Sequence, residues 1–548
     1  SDEIICKGDR NSTLFQYACS LRRNGEPLDG ILTKVSDVNK KQCNPPLPDG
    51  EVLTIVQSAS RYSLIGTEEK EEFAKSRVPE SHLSDMGNAR SFVILQKEVL
   101  AYAKDMEAWF RWDERRFERT TSVDLMSAAK KVPIRRYQLA HEMQSSGSNG
   151  APGQEKLAAL TWAAKSESNA KLRACLEVAA SEPEFSLHSR ELDTHLHLLT
   201  VLNGIVDLRT GQLLPHDRSL KLTKLSPIHF DTNAPHPLWT KFLDDVFIGD
   251  SELIEYIQRA VGYSLTGDMS EQCFFILYNS GANGKSTFIN IISAAAGEHA
   301  RSAQFDTFLA QKRNSAAPSP DLAALRAARL VTAVEAEAGA RLNESIIKQI
   351  TGGDPITCRE LNEGLFTYRP QFKLFLSANH KPVIRGTDYG IWRRPRLIPF
   401  DAIFKDTIDT DDDPRLCKLK NRKIERDIID KELGGVLAWA VEGAMKWYQS
   451  GLGNAQRIES ATREYRDESD VLGRYLEECT VRGSDCWCLM GELYKSYTEW
   501  TRDNGEFTMS QSAFGRALVE RGIQKGRNSG FRTYHGIMTR SVGSQNES

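Results

Sequence analysis

Phe274-Phe275-Ile276-Leu277-Tyr278-Asn279-Ser280-Gly281-Ala282-Asn283-Gly284-Lys285-Ser286-Thr287-Phe288-Ile289 decides how the rest of the chain is read. An apolar run of β type breaks into a loop of small residues, and the loop passes through Gly-Lys-Ser into a helical pattern. A phosphate-binding loop needs that order. Small residues let backbone N–H groups turn inward around a phosphate, with the N-terminus of the following helix behind them. On this reading Ser280, Gly281, Ala282, Asn283, Gly284, Lys285, Ser286 and Thr287 surround the phosphates. Lys285 reaches the β- and γ-phosphates, and the Ser286 hydroxyl holds Mg²⁺. Asn279 stands where such a loop ordinarily has its first glycine. Asparagine tolerates left-handed backbone angles better than most residues, so the loop can still form.

Around this stretch lie 548 residues, too many for one core, and a prior of about three or four domains follows. With 40% apolar and 26% charged residues the composition is that of an ordinary globular protein. No secretory signal and no apolar run long enough to span a bilayer is visible, which excludes a membrane partner at this level of reading. The ten cysteines are scattered. The nearest pair, Cys486 and Cys488, has no second pair or histidine cluster to complete a zinc site, so reduced thiols in a cytoplasmic protein are expected. A net charge of −3 excludes a uniformly basic coat but leaves room for a local basic channel.

Upstream, amphipathic helices are predicted over Thr13–Leu21, Ile31–Val38 and Glu51–Ser60, broken by Asn44-Pro45-Pro46. Gly8-Asp9-Arg10-Asn11, Asn39, Cys43-Asn44-Pro45-Pro46-Leu47 and Ser58-Ala59-Ser60-Arg61-Tyr62 resemble the C-terminal helical module of phage and plasmid primases. The chain opens at Ser1 without a methionine or a priming domain. It is therefore read as an excised part of a longer protein, or one that has lost its priming half. A charged stretch follows (Glu68-Glu69-Lys70-Glu71-Glu72), a linker or a solvated helix face, then helical patterns over Val93–Trp112 and Val123–Met143 and a helical pair over Glu155–Ala180. The stretch from Leu199 to Gly211 is strand-like, with turns at Asn203-Gly204 and Thr210-Gly211. Helices over Trp239–Phe247 and Ser251–Thr266 lead into the phosphate-loop strand.

Downstream, Ala328-Arg329-Leu330-Val331-Thr332-Ala333-Val334-Glu335-Ala336-Glu337 is a buried strand ending in acids, one suited to a Mg²⁺ and the other to an attacking water. Phe372–Asn379 is a further apolar strand, and Asn379 at its end can hydrogen-bond the water or the γ-phosphate. Beyond it, Asp388-Tyr389-Gly390-Ile391-Trp392-Arg393-Arg394 carries paired arginines.

In order, Asn283-Gly284-Lys285-Ser286-Thr287, Glu335-Ala336-Glu337, Thr351-Gly352-Gly353-Asp354-Pro355-Ile356, Phe372–Asn379 and Gly390-Ile391-Trp392-Arg393-Arg394 resemble the superfamily three helicases of poxviruses, phages and plasmids, the primase–helicase family. The resemblance extends through Asn203-Gly204 to Gly211, Gly262–Gly267 and Gly434–Trp439. Asn279 and Ala338 depart from its pattern, the second standing where a third acid is frequent.

The resemblance implies a AAA+-type ATPase assembled as a hexameric ring, with ATP and Mg²⁺ between subunits. Lys285, Ser286, Glu335, Glu337 and Asn379 come from one protomer, Glu335 with Ser286 on the metal, and Arg393 or Arg394 from the next. Such rings move along single-stranded DNA, from 3′ towards 5′, and unwind forked duplex in replication, with a primase or polymerase as a further partner. A hairpin over Ile356–Tyr368 grips the DNA backbone, with Lys348, Arg359 and Asn362 as candidate contacts.

After Gly451-Leu452-Gly453-Asn454 helices are predicted over Ala461–Cys479, Met490–Asn504 and Ser510–Arg521, then a strand-turn-strand to Ile537. Arg516, Arg521, Lys525, Arg527, Arg532 and Arg540 face only Glu520 in charge, with Phe531 and Tyr534 interleaved. This composition suits a phosphate-tracking wing, with Lys525, Arg527 and Arg532 on DNA.

The expected architecture is multidomain α/β: a primase C-terminal-type helical module (1–65), a helical or mixed helicase-associated oligomerisation domain (66–235), a AAA+-type P-loop ATPase core (236–450) and a winged-helix-like C-terminal domain (455–548). The expected function is an ATP-dependent replicative helicase of a mobile element in a bacterial or archaeal cytoplasm. A translocase or remodeller that does not unwind, and a non-catalytic origin-binding ring, are the other two classes the residues allow.

Overall fold

The computed structural model describes residues 5–6, 10–23, 27–60, 79–143, 153–310, 320–334, 339–359, 365–386, 388–528 and 530–540. The chain divides into two compact units, Ser1–Leu95 with Met126–Ala179, and Gln96–Leu125 with Ala180–Ser548. The expected 66–235 domain contributes residues to both. No described helix is long and apolar enough to cross a membrane.

The first unit is helical. Arg10–Arg23, Leu28–Gln42 and Asp49–Ser60 are the three helices expected near the N-terminus. They close around Leu14, Ala18, Ile31, Val35, Val52 and Val56. Asn39 and the Asn-Pro-Pro-Leu break explain each other. The buried Asn39 amide donates to the Leu47 carbonyl at 2.9 Å and accepts from the Leu47 N–H at 2.8 Å, capping backbone that the prolines leave unpaired. The later helices Asp85–Gln96, Lys131–Glu142, Gln154–Ser166 and Asn169–Ala179 are held by another buried amide. Asn88 accepts from Arg136 Nε (2.8 Å) and Trp162 Nε1 (3.1 Å) and donates to Ser166 Oγ (3.0 Å).

The expected helix over Val93–Trp112 is corrected. The helix ends at Gln96, and Leu100–Ala103 and Ala108–Trp112 are antiparallel strands, extended by Phe117–Arg119. The alanines of this stretch carry high helix propensity. Pairing overrides it, because Glu107 at φ +48° turns the chain and Trp109, Phe110 and Trp112 suit a pleated surface. Leu198–Val201 and Gly204–Asp207 form a hairpin at the expected Asn203-Gly204 turn, and Gln212–Leu214 adds a third antiparallel strand.

The centre of the second unit is a parallel sheet of five strands. Across it the order is Ala300–Gln304, Leu330–Val334, Lys373–Ala378, Phe274–Tyr278 and Pro395–Pro399. Its inner strands are buried on both faces, which is why they read as continuous apolar runs. One face packs under the helices Pro237–Phe247, Ser251–Leu265, Lys285–Ala296 and Leu433–Ser450, with Trp239 stacked on Phe242 and Phe288. Two strands lie outside the sequence reading. Ala300-Arg301-Ser302-Ala303-Gln304 is a polar edge strand with no apolar pattern to mark it, and Pro395–Pro399 starts on a proline next to the paired arginines.

The C-terminal part is helix Val471–Cys479, strand Thr480–Leu489, helices Met490–Asp503 and Gln511–Glu520, and strands Gln524–Asn528 and Phe531–Thr539. In its sheet the last strand lies between the other two. The ten-residue strand Thr480–Leu489 is a further addition to the sequence reading. It is mostly exposed and has a register break between Arg482 and Trp487, so no alternating pattern announces it.

Candidate functional site

Parallel register brings the separate motifs to one edge. Tyr278 pairs with Ala378 on one side and Pro399 on the other. The next residues, Asn279 and Asn379, therefore leave neighbouring strands at the same level, the position where open α/β sheets bind ligands. Val334 pairs with Ser377 and lines the same cleft; Glu335 and Glu337, which follow it, lie outside the described residues.

Loop 279–284 turns through positive φ at Asn279 (+142°), Gly281 (+96°) and Gly284 (+87°). A Cβ at Gly284 would come within 2.9 Å of Val246, so both backbone angle and space demand glycine there. Helix Lys285–Ala296 starts immediately after it. The Lys285 amine donates to the Asn279 carbonyl, to Asn283 Oδ1 at 3.1 Å and to Asn379 Oδ1 at 3.3 Å. Desolvation by burial pushes the Lys285 pKa down. The lysine and the strand-end asparagine expected to share a γ-phosphate are thus in contact.

The cleft above the loop has a volume of about 700 Å³. Gly281–Thr287, Ser377 and Asn379 form its floor; Ser286 is exposed towards it. Leu238, Phe242, Phe404, Leu419 and Ile424 supply an apolar wall, with Lys241, Lys420 and Arg422 at its rim. None of these wall residues was singled out in the sequence. They come from segments far apart in the chain and obey no local spacing. A nucleotide fits this lining: a small-residue loop, one buried amine, one exposed hydroxyl and an apolar shelf. Among the described residues no three His, Cys, Asp or Glu side chains converge to hold a metal, and no disulfide is formed.

The paired arginines are elsewhere. Pro395 pairs with Phe274, so Arg393 and Arg394 sit at the amino edge of the sheet, about 16 Å along the strands from the loop. Arg394 is buried, with Nε on Thr351 Oγ1 at 2.9 Å and Nη1 on the Gly390 carbonyl. Burial, then the neighbouring Arg393, lowers its pKa. Arg393 is less enclosed and donates to Gln272 Oε1.

Of the expected DNA contacts, Lys348 is paired with Asp388 at 3.0 Å. Arg359 follows the strand Ile356–Cys358, which pairs with Phe366–Tyr368 as the expected hairpin; Asn362 lies outside the described residues. Lys525, Arg527 and Arg532 are exposed on the C-terminal hairpin, with Arg527 directly opposite Arg532.

The class these observations define is a mixed α/β protein with a loop-and-lysine cleft at the carboxyl edge of a parallel sheet. Family models match three stretches: "Primase C terminal 1" over residues 2–64, "D5 N terminal like" over 90–248, and a family of unknown function over 277–394. The last of these begins and ends with the loop strand and the arginines.

"Putative helicase L207/L206" of Acanthamoeba polyphaga mimivirus is 28% identical over 350 residues, 61% of this chain and 36% of that protein. "Putative primase C962R" of African swine fever virus (isolate Tick/Malawi/Lil 20-1/1983) is 24% identical over 329 residues, 57% of this chain and 34% of that protein. The chain thus spans about a third of the length of these curated relatives. A solved structure titled "The apo structure of NrS-1 C terminal region (305-718)" superposes over 82% of this chain and 99% of that one, at 9% identity and a TM-score of 0.43. The chain is similar to primase–helicases, and the relatives it matches are proteins of large DNA viruses.

Proposed function

We propose that this chain is the helicase part of a replicative primase–helicase: a AAA+-type ATPase that assembles as a hexameric ring, encircles single-stranded DNA and unwinds a fork. The observation that carries the reading is the contact of Lys285 with Asn379 across the carboxyl edge of the sheet, beside a glycine loop and an exposed Ser286. In this reading the loop amides and Lys285 bind the β- and γ-phosphates of ATP. The buried amine regains a full counter-charge when its Asn279 carbonyl partner is exchanged for phosphate. Ser286 and Glu335 would hold Mg²⁺, which would supply charge neutralisation at the phosphates. Glu337 or Glu335 orients the attacking water, and Asn379 fixes its direction.

An arginine from the neighbouring protomer completes the site. In its favour, Arg393 sits about 16 Å along the sheet from its own chain's loop and cannot serve it. The helix–strand–helix–helix–strand–strand order of residues 471–539 supports a winged-helix-like unit. Two arginines directly opposite on its hairpin repel one another, and a phosphate backbone relieves that repulsion.

The test is ATP hydrolysis and displacement of one strand from a forked duplex. Lys285→Ala is expected to abolish both, and substantial hydrolysis by that variant would remove the site assignment. Hydrolysis by the unaltered chain with the strands left paired would instead identify a translocase.

A further inference from the structure

Asn279 stands where such a loop ordinarily has glycine, and its surroundings show what holds it there. Its φ of +142° lies in territory that favours glycine, so a non-glycine residue there is held by the contacts around it. Its side chain is tied on both sides. Nδ2 donates to Asp401 Oδ1 at 3.0 Å, and Oδ1 accepts from the Ser280 N–H at 2.9 Å. Its carbonyl accepts from Asn283 Nδ2 at 3.1 Å and from Lys285. Asp401 comes two residues after the strand Pro395–Pro399, and Phe400 N–H donates to the Tyr278 carbonyl at 2.9 Å. The register of the sheet thus delivers the carboxylate beside the loop.

The other Asp401 oxygen accepts from Arg457, whose guanidinium also lies 3.7 Å from Asp250. Arg457 opens the helix Gln456–Ser469. The same helix holds the segment after Asn379, through a 2.7 Å pair of Glu468 with Lys381 and a hydrogen bond from the Tyr465 hydroxyl to the Pro382 carbonyl. Lys381 and Pro382 follow directly on Asn379-His380. The helix then ends at Asp470, whose carboxylate caps the next helix at Gly473 and accepts from Arg521 of the C-terminal part. One helix is therefore linked through Asp401 to the beginning of the phosphate loop, directly to the segment after Asn379, and through Asp470 to the C-terminal part.

We infer that Asn279, Asp401 and Arg457 are positioning residues: a polar relay that holds the phosphate loop in its binding shape in place of the missing glycine, anchored on the helix that leads into the C-terminal unit. The relay rests on the nucleotide reading of the cleft. It acts through the Asn279 carbonyl and the Ser280 amide, which set where Lys285 and the loop amides point.

The test is a cycle in the full chain between Asp401→Ala and Asn279→Gly, with Asp401→Asn as the milder variant that keeps one acceptor oxygen. Beside Asn279, Asp401→Ala is expected to raise KM for ATP about tenfold with kcat changed less than about threefold, and Arg457→Ala to follow it. In the Asn279→Gly background, where glycine adopts the loop conformation unaided, the same substitutions should change KM less than about twofold. Equal KM effects in both backgrounds would overturn the relay and leave Asp401 as an ordinary structural carboxylate. Hydrogen exchange at the amides of residues 280–284 in nucleotide-free protein separates this from a failure of the ATP reading. A chain that turns over no ATP should still show exchange accelerated by Asp401→Ala only when Asn279 is present, and equal acceleration in both backgrounds would sink the relay.

Discussion

The two adjacent arginines differ more than their identical side chains imply. Arg394 is buried and bound to Thr351 and the Gly390 carbonyl within its own chain, so it supports the turn that presents its neighbour. The Arg393 side chain has only Gln272 as its hydrogen-bond partner among the described residues. Arg393→Ala is therefore expected to keep ATP affinity while losing on the order of 10³-fold or more in kcat. Mixing it with Lys285→Ala subunits should restore part of the activity, because one intact site can form between an unaltered loop and an unaltered arginine. No rescue at any ratio would count against a shared site. Arg394→Ala should instead lower the unfolding midpoint by about 2–5 kcal/mol equivalent, the cost of leaving buried hydrogen-bonding groups unpaired, measured by denaturant titration. At this scale the motif was legible in the sequence, but the division of labour was not. Two arginines in succession carry no mark of which one a sheet will bury.

At the scale of elements, the helical layer beside the central sheet depends on how closely the helices Ser251–Leu265 and Leu433–Ser450 pack. Their contact is made through glycines. A Cβ on Gly262 would stand 2.0 Å from the Ala444 N, and one on Gly443 would stand 2.0 Å from the Gln258 carbonyl. The Gln258 amide, donating to the Trp439 carbonyl at 3.0 Å, fixes the register of the pair. Backbone cannot yield as a flexible side chain can, so Gly262→Ala or Gly443→Ala should destabilise by about 1–3 kcal/mol through overpacking. Chemical denaturation with a two-state baseline checks this, and an unchanged midpoint would show that the helices separate at little cost. Both glycines lie inside helical patterns, where a sequence reader records only a weak helix former. The reason for them lies on the partner helix, 181 residues away for the Gly262–Gly443 pair by subtraction of their numbers.

For the whole molecule, the DNA reading rests on charge placement. The chain as a whole carries −3, yet Lys525, Arg527 and Arg532 are exposed together on one hairpin. If that hairpin tracks phosphates, Arg527→Ala and Arg532→Ala should each weaken single-stranded or forked DNA binding uniformly across sequences. Each should also flatten the dependence of log K on log salt by about one unit. A slope identical to that of the unaltered chain would assign the hairpin to protein contacts.

What the sequence determined alone were the pieces with local periodicity or local chemistry. The loop between a buried strand and a helix, the strand that ends at Asn379, and the N-terminal helices with their Asn39 and Pro45-Pro46 signature follow from residues close together in the chain, and the order of the motifs carries the resemblance to primase–helicases. What tertiary structure decided were relations between distant segments. Parallel register set Asn279, Asn379 and Asp401 at one edge and the arginines at the other. Strand pairing overrode helical propensity after Gln96, and the polar edge strand Ala300–Gln304 formed without an apolar pattern. Asn279 shows the difference most directly. Its tolerance of unusual backbone angles is a property of the residue, but the carboxylate that holds it comes from 122 residues further on, and only the folded sheet brings the two together.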